Sequence, residues 1–349
     1  MIHKLNTVDA FIVFDLTDAA VPDVAVPDVA ESVGTESVGT ESVGVVRSAR
    51  KILVSGASDL ARSLTYTFAS FEMPRSGASA GINATDEDRD GAITKFVSEV
   101  APMVAAGAFL PEPGTRVPRS ALEPLVANDS RANTGAVADQ AAVAGVVAAA
   151  SAVVGGLEGR SVIIEGFGES GVALAKALLE QGGKVVAVTA GNKGVVAQSG
   201  FSPDLLAAPA GVPYGEQTAA EALAVPADVL LAGSGMGVIN HITAAQLNVG
   251  ALVPYGPIPV TARALAVLSR AETTVVPDFI STAGPLFAWW PSGNTNPEAI
   301  IADAISKIGN LVQEIAAQPE SMFLAACQRA EAFLATWQKT LPFGRPLAP

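Results

Sequence analysis

The sequence predicts an α/β protein of two domains, and three observations carry that prediction. The chain has 349 residues, enough for two separate hydrophobic cores. Residues 161–188 read SVIIEGFGESGVALAKALLEQGGKVVAV. This is a β-branched run, a Gly-x-Gly-x-x-Gly turn at Gly166, Gly168 and Gly171, a helical pattern through Leu174, Ala175 and Leu178, and a second apolar run. Further short apolar runs follow at 228–232, 250–254 and 273–276, the later strands of a sheet. A strand–turn–helix–strand unit of this length opens a Rossmann-type dinucleotide-binding domain. Gly166 permits the tight turn and Gly168 lets the backbone approach a pyrophosphate. Gly171 lets the helix pack close to the strand, so that the free N–H groups at the helix start face the phosphates. The competing reading is a glycine-rich packing turn that binds nothing.

In chain order, an apolar strand at Ala10–Leu16 opens the fold. A low-complexity segment over 21–44 follows, with VPDVA twice and ESVGT twice before a final ESVG. Each repeat is far too short for a solenoid unit. The segment reads as an expanded, mobile loop, with a lid or partner-binding loop as its functional alternative. Residues 49–72 carry a helical pattern through Ile52, Leu53, Leu60, Leu64 and Phe68. Residues 74–81 are rich in turn formers. The acidic run 86–90 opens a helix that continues to Val100, because carboxylates favour a helix N-terminus. Pro111-Glu-Pro-Gly114 reads as a loop. Thr134 reads as the N-cap of a long Ala/Val-rich helix that ends near Gly155–Gly156. The tail over 297–338 is helical and is expected to pack back across the domain junction. The domains are therefore placed at 1–133, 134–290 and, for the C-terminal helices, 291–349.

Composition narrows the function classes. Half of the residues are apolar, 16% are charged, and the mean hydropathy of +0.40 comes mostly from dispersed Ala and Val. The longest apolar runs, such as 141–154, fall short of the ~20 residues a membrane span requires. No basic region leads into an apolar one at the N-terminus, so neither a secretion signal nor a membrane partner is expected, and the predicted location is cytoplasmic. A net charge of −13 with no basic stripe argues against a nucleic-acid partner. One cysteine, Cys327, and two histidines, His3 and His241, exclude an intrachain disulfide and a Cys- or His-rich metal centre.

Several motifs together resemble the glutamate/leucine/phenylalanine/valine dehydrogenase superfamily, most closely its leucine/phenylalanine branch. Leu64-Thr-Tyr66 and Pro74-Arg-Ser-Gly-Ala-Ser-Ala-Gly81 are similar to the family's Met-Thr-Tyr-Lys and Gly-Gly-Ala-Lys-Gly-Gly segments. Pro111–Gly114 sits at its Pro-Ala-Pro-Asp, and Thr134-Gly135 at its Ala-Thr-Gly helix start. Gly166-Phe-Gly-Glu-Ser-Gly171 resembles Gly-Phe-Gly-Asn-Val-Gly. Val276-Pro-Asp-Phe-Ile-Ser-Thr-Ala-Gly284 follows Val-Pro-Asp-Tyr-(Val/Leu)-Ala-Asn-Ala-Gly, and residues 228–243 align without a gap. The resemblance spans about 44–284. It implies two α/β domains flanking a cleft, the first binding an L-amino acid and making oligomer contacts, the second binding NAD or NADP. The implied reaction moves hydride from the α-carbon to the nicotinamide, and hydrolysis of the imine gives a 2-oxo acid and ammonia.

Departures from the family pattern fall on its chemistry. The carboxylate-binding lysine position reads Thr67, the water-activating lysine reads Ser79, and the proton-shuttling aspartate reads Gly114. The Ser-Ala-Asn loop reads Tyr255-Gly-Pro257, the later asparagine reads Thr282, and the Gly-Gly-x-Arg cradle reads Gly44-Val-Val-Arg47. Serine, threonine and glycine supply no cation to a carboxylate. Arg75, Glu112 and Asp86 lie close in sequence to the emptied positions and are the alternatives for their roles, but each reads as a solvated loop residue, since surface is the default place for charge. His241 reads as covering a helix start rather than as a base, and Ser79 has no neighbouring histidine to activate it. The catalytic residues therefore stay unknown. The cofactor set reads Thr134, Gly166, Phe167, Gly168, Glu169, Ser170, Gly171, Ala190, Lys193, Ala232 and Gly233. At the end of the second strand Ala190 replaces the usual acid, and Lys193 can pair with a 2′-phosphate, which favours NADP over NAD. Three readings compete: an NAD(P)-dependent oxidoreductase with a diverged small-molecule substrate or reaction, a pseudoenzyme that keeps dinucleotide binding, and a reductase of a cyclic imine or another carboxylate-free substrate. A homo-oligomer is expected, or an assembly with an active paralogue.

Overall fold

A computed structural model describes residues 1–16, 41–293 and 295–348. The repeat segment lies outside the described residues, except for its last copy. The chain divides into two units: Met1–Ser130 with Ala330–Pro346, and Arg131–Arg329 with Leu347–Pro349.

The first unit holds β1 (Ile2–Lys4), β2 (Ala10–Phe14), β3 (Ser42–Ala49), α1 (Val54–Ser70), β4 (Ser76–Asn83), α2 (Arg89–Ala105), β5 (Leu110–Pro113) and α3 (Arg119–Val126). Its sheet runs β1-β2-β4-β3-β5, with β3 parallel to β4 and to β5 and the other pairs antiparallel. Val13, Ser79, Val45 and Glu112 stand in one cross-strand row, on the face that α1 covers. The opposite face carries Phe14, which meets Phe109 edge to face with centroids 6.2 Å apart.

Three sequence expectations change here. The turn-rich stretch 74–81 is largely strand β4, which lies in the middle of the sheet. At Gly77 the small residue has a packing cause, because α1 comes so close that a Cβ there would stand 2.0 Å from the Ala61 carbonyl oxygen. Pro111–Gly114 is not a loop up to Pro113 but the edge strand β5, and an edge tolerates proline because its outer side needs no donor. The last repeat copy, with Val45–Ala49, is β3, so the helix expected from Ala49 starts at Val54. At the other end of the chain, Arg62 binds Asp15 through Nε (2.7 Å) and donates to the carbonyls of Phe343 and Gly344. Glu331 accepts from Tyr66 (3.1 Å) and takes a two-pronged contact from Arg345 at 2.7 and 2.9 Å.

The second unit begins with α4 (Ala136–Val154), then β6 (Ser161–Ile164), α5 (Glu169–Glu180), β7 (Lys184–Ala190) and β8 (Lys193–Val196). It continues with α6 (Ala219–Leu223), β9 (Ala227–Ala232), α7 (His241–Ala244), β10 (Val249–Pro254), α8 (Ala262–Arg270) and β11 (Thr274–Val275). Last come α9 (Asp278–Ser281), α10 (Gly284–Trp289), α11 (Pro297–Ala316) and the start of α12 (Met322–Leu334), whose residues from Ala330 on belong to the first unit. The sheet order is β11-β10-β9-β6-β7-β8, parallel throughout except for β8, which returns along β7. This is a Rossmann-like sheet with its topological switch between β6 and β9.

By length and composition alone, α4 is apolar enough to cross a membrane (19 residues, mean hydropathy 1.7). Its Ala/Gly content has a packing cause within this unit. A Cβ on Gly145 would meet Ile308 of α11 at 2.6 Å, and one on Gly284 of α10 would meet the Ala141 carbonyl oxygen at 2.0 Å. The helix ends on left-handed Gly155 (φ 71°), as its sequence predicts. Its N-cap is Gly135 rather than Thr134, because Thr134 lies one residue too early.

Candidate functional site

Strand β6 delivers the glycine turn to the carboxyl edge of the second sheet. Val162, Ile163 and Ile164 are fully buried. The turn begins at Gly166, where φ is 80° and a Cβ would lie 2.3 Å from the Ser234 Cβ, so only glycine fits. Thr189 of β7 holds the turn. Its hydroxyl accepts from Gly166 N–H (3.1 Å), and its carbonyl accepts from Phe167 N–H (2.6 Å). Gly168 is the N-cap of α5, is exposed, and would meet nothing within 4 Å if it carried a Cβ. The first helical bond runs from Val172 N–H to the Gly168 carbonyl (3.0 Å), so the amides of Glu169, Ser170 and Gly171 have no partner inside the helix. Gly171 differs from expectation in one respect: its would-be Cβ faces the Phe167 ring at 3.0 Å, so it clears room for that buried side chain rather than for the strand.

Around the turn stand residues that pattern reading missed. Glu165, 9% exposed, accepts from the N–H groups of Gly233 and Ser234 (both 3.1 Å) and from the Ser234 hydroxyl. Tyr255 directs its hydroxyl at the carbonyls of Glu165 (2.7 Å) and Gly166 (2.8 Å). Burial, reinforced by the Glu165 carboxylate, pushes the Tyr255 phenol well above its ordinary value, so it remains a donor. The signal in the sequence was an acid ending an otherwise apolar strand. Its partners could not be read, because they lie 68 and 69 residues away.

Of the sequence-predicted set, the fold gathers Gly166–Gly171, Ala232 and Gly233 at the ends of β6 and β9. Ala190 ends the neighbouring strand β7 and pairs with Lys193 across a tight hairpin whose turn is Gly191–Asn192. Lys193 is exposed. Thr134 is half-buried just before α4. A groove of about 620 Å³ runs between α4 and α5, with Asp139, Gln140, Glu169, Ser170 and Tyr255 among its lining residues.

In the first unit, Thr67 is buried on α1 and donates to the Ser63 carbonyl (2.9 Å). Ser79 is fully buried in β4, and its hydroxyl has no hydrogen-bond partner. A side chain at Gly114 would meet Val45 Cγ1 at 2.3 Å. Arg75 is committed to Glu41 (2.8 Å), and Asp86 to Arg89 and Arg116. Glu112 is half-buried beside Val45. His241, in the second unit, is exposed at the start of α7, and the cap is Asn240, which accepts from Ile242 and Thr243. No group of three or more His, Cys, Asp or Glu suited to a metal occurs among the described residues.

Residues 130–288 match the family described as Glutamate/Leucine/Phenylalanine/Valine dehydrogenase. No curated protein matches the chain in sequence. Among solved structures, the chain is similar to the hetero-hexameric glutamate dehydrogenase from Thermus thermophilus in its leucine-bound form. The TM-score is 0.71 at 20% identity, over 84% of this chain and 82% of that one. It is also similar to L-tryptophan dehydrogenase from Nostoc punctiforme (TM-score 0.62, 17% identity, 97% and 96% covered). A third likeness is to Plasmodium falciparum glutamate dehydrogenase (TM-score 0.68, 14% identity, 86% and 76% covered). The fold is that of the two-domain amino-acid dehydrogenases.

Proposed function

We propose that this chain, which resembles the glutamate/leucine/phenylalanine/valine dehydrogenases and shares their fold, is an NAD(P)-dependent oxidoreductase whose substrate or reaction has diverged from ordinary amino-acid oxidation. One observation carries the reading: a glycine turn at the switch point, exposed at Gly168, Glu169 and Ser170, with the amides of Glu169–Gly171 unpaired within the helix at the positive end of α5. That arrangement suits a pyrophosphate. The cofactor-binding residues are Thr134, Gly166–Gly171, Ala190, Lys193, Ala232 and Gly233. NADP is preferred, because Ala190 brings no charge against a 2′-phosphate and exposed Lys193 faces it across the hairpin register. Titrating the purified chain with NADH and NADPH by fluorescence tests this. Binding of neither sinks the reading, and much tighter NADH binding sinks the NADP preference.

A second reading, a pseudoenzyme that keeps the dinucleotide, is favoured by the first unit. The positions that the resemblance assigns to two lysines hold buried Thr67 and Ser79, and the aspartate position, Gly114, has no room for a side chain. A screen of amines, cyclic imines and oxo acids with the bound cofactor separates the two, since only the oxidoreductase turns one over. The same losses suit a substrate without an α-carboxylate.

A further inference from the structure

We propose that Glu165 is a positioning residue for the cofactor turn and that its carboxylate limits how tightly an anionic dinucleotide is held there; the inference rests on the dinucleotide reading above. Strand β6 is apolar from Val162 to its end at Ile164, and Glu165 follows it, adjoining Gly166. A carboxylate carried to the end of a buried strand must find donors. Glu165 finds them in the next strand's loop: Oε2 accepts from the N–H groups of Gly233 and Ser234, and Oε1 from the Ser234 hydroxyl. Glu165 thereby bridges β6 and β9, the two strands whose connections part at the switch point.

The bridge has a geometric effect and an electrostatic one. It presses Ser234 against Gly166, whose missing side chain leaves the space that the Ser234 Cβ fills. Tyr255 clamps the same turn from the loop after β10. The shape of the turn is thus fixed by two loops before any ligand arrives. The two successive amides of Gly233 and Ser234 also form a small anion cradle, and Glu165 already occupies it. An incoming phosphate finds the amides of α5 but not these. Among the described residues no lysine or arginine is bonded to Glu165. Its carboxylate is bonded to Ser234, whose Cβ packs against Gly166 of the turn, and Glu169 adds another charge in the first turn of α5. Like charges inside a Debye length of about 8 Å repel. Glu165 therefore orders the turn while opposing the charge of what binds there, and two substitutions separate these effects.

The test compares the full-length chain with Glu165→Gln and Glu165→Ala. The measurements are NADH and NADPH affinity at low and high salt, and hydrogen exchange of the Gly233 and Ser234 amides. Glu165→Gln keeps the size and an acceptor oxygen but not the charge. Its amides should stay protected, and it should bind about fivefold tighter at low salt, a gain that shrinks as salt rises. Glu165→Ala should expose both amides to fast exchange and bind about tenfold more weakly than the wild type. A merely structural role would leave Glu165→Gln no tighter than wild type, or tighter without salt dependence, and either result overturns the electrostatic claim. Continued amide protection in Glu165→Ala overturns the bridge. If the wild type and Glu165→Gln bind neither dinucleotide, the cofactor reading falls and takes the electrostatic claim with it, while the exchange result still decides the bridge.

Discussion

Single residues decide whether the turn forms. Gly166 combines a left-handed φ of 80° with a would-be Cβ only 2.3 Å from Ser234. Gly166→Ala is therefore expected to cost about 1–3 kcal/mol of stability and to weaken dinucleotide binding, measured by urea unfolding and by fluorescence titration. Gly168 is the contrast: its would-be Cβ points into open space, so a bulky residue there should leave stability nearly unchanged and block the ligand alone. Equal loss of stability in both variants would contradict this difference. Ala190→Asp should shift preference from NADPH toward NADH by restoring a repulsion at the end of β7. The glycines were legible because their spacing is local. Glu165 and Tyr255 were not, because the groups they bind belong to other strands or to backbone whose direction only the folded turn sets.

At the scale of elements, the strands that pattern reading misplaced share a cause. Residues 76–81 of β4 are Ser, Gly and Ala, which read as turn formers, yet the strand is central, and at Gly77 α1 leaves no room for a side chain. Gly77→Ala is expected to destabilise the first unit by about 1–3 kcal/mol or more, since its Cβ would meet backbone that cannot swing aside. β5 carries two prolines and was read as loop, and only its edge position accommodates them. The parallel strands of the second sheet were legible because their apolar runs are unbroken. The C-terminal residues 331–345, a strap that meets α1 at Tyr66 and Arg62, add a pH dependence. The hydrogen bonds from Arg345 chiefly, with that from Tyr66, hold the Glu331 carboxyl below the usual range against the opposing effect of burial. A depressed folded value means that its contribution is complete above about pH 4.3 and is lost as pH falls through the lower folded value. Urea unfolding at acid and neutral pH should show that loss in the wild type and a smaller one in Arg345→Ala.

For the molecule as a whole, the positions that the resemblance assigns to the family's two lysines and its aspartate hold Thr67, Ser79 and Gly114, and the proposed divergence predicts the consequence. The chain is expected to deaminate leucine, phenylalanine, valine and glutamate at well under about 1 s⁻¹ with either cofactor, in alkaline oxidative-deamination assays. Reversion of one position should not rescue it, because an aspartate at Gly114 would collide with Val45. Two-domain organisation was legible from length and the glycine turn. The interleaving of the units was not, since it depends on where the last helix and the strap come to rest. That interleaving bears on synthesis. Glu331, which accepts from Tyr66, and the Phe343 and Gly344 carbonyls, which accept from Arg62, lie beyond Ala330, so residues 1–130 of the first unit leave the ribosome before the residues that complete these contacts. About 200 residues intervene, which at ordinary elongation rates is roughly 10–40 s. A β4–α1 layer formed in that interval lacks these C-terminal contacts, so a protease pulse during synthesis is expected to cut α1 where the same pulse spares it in the finished protein.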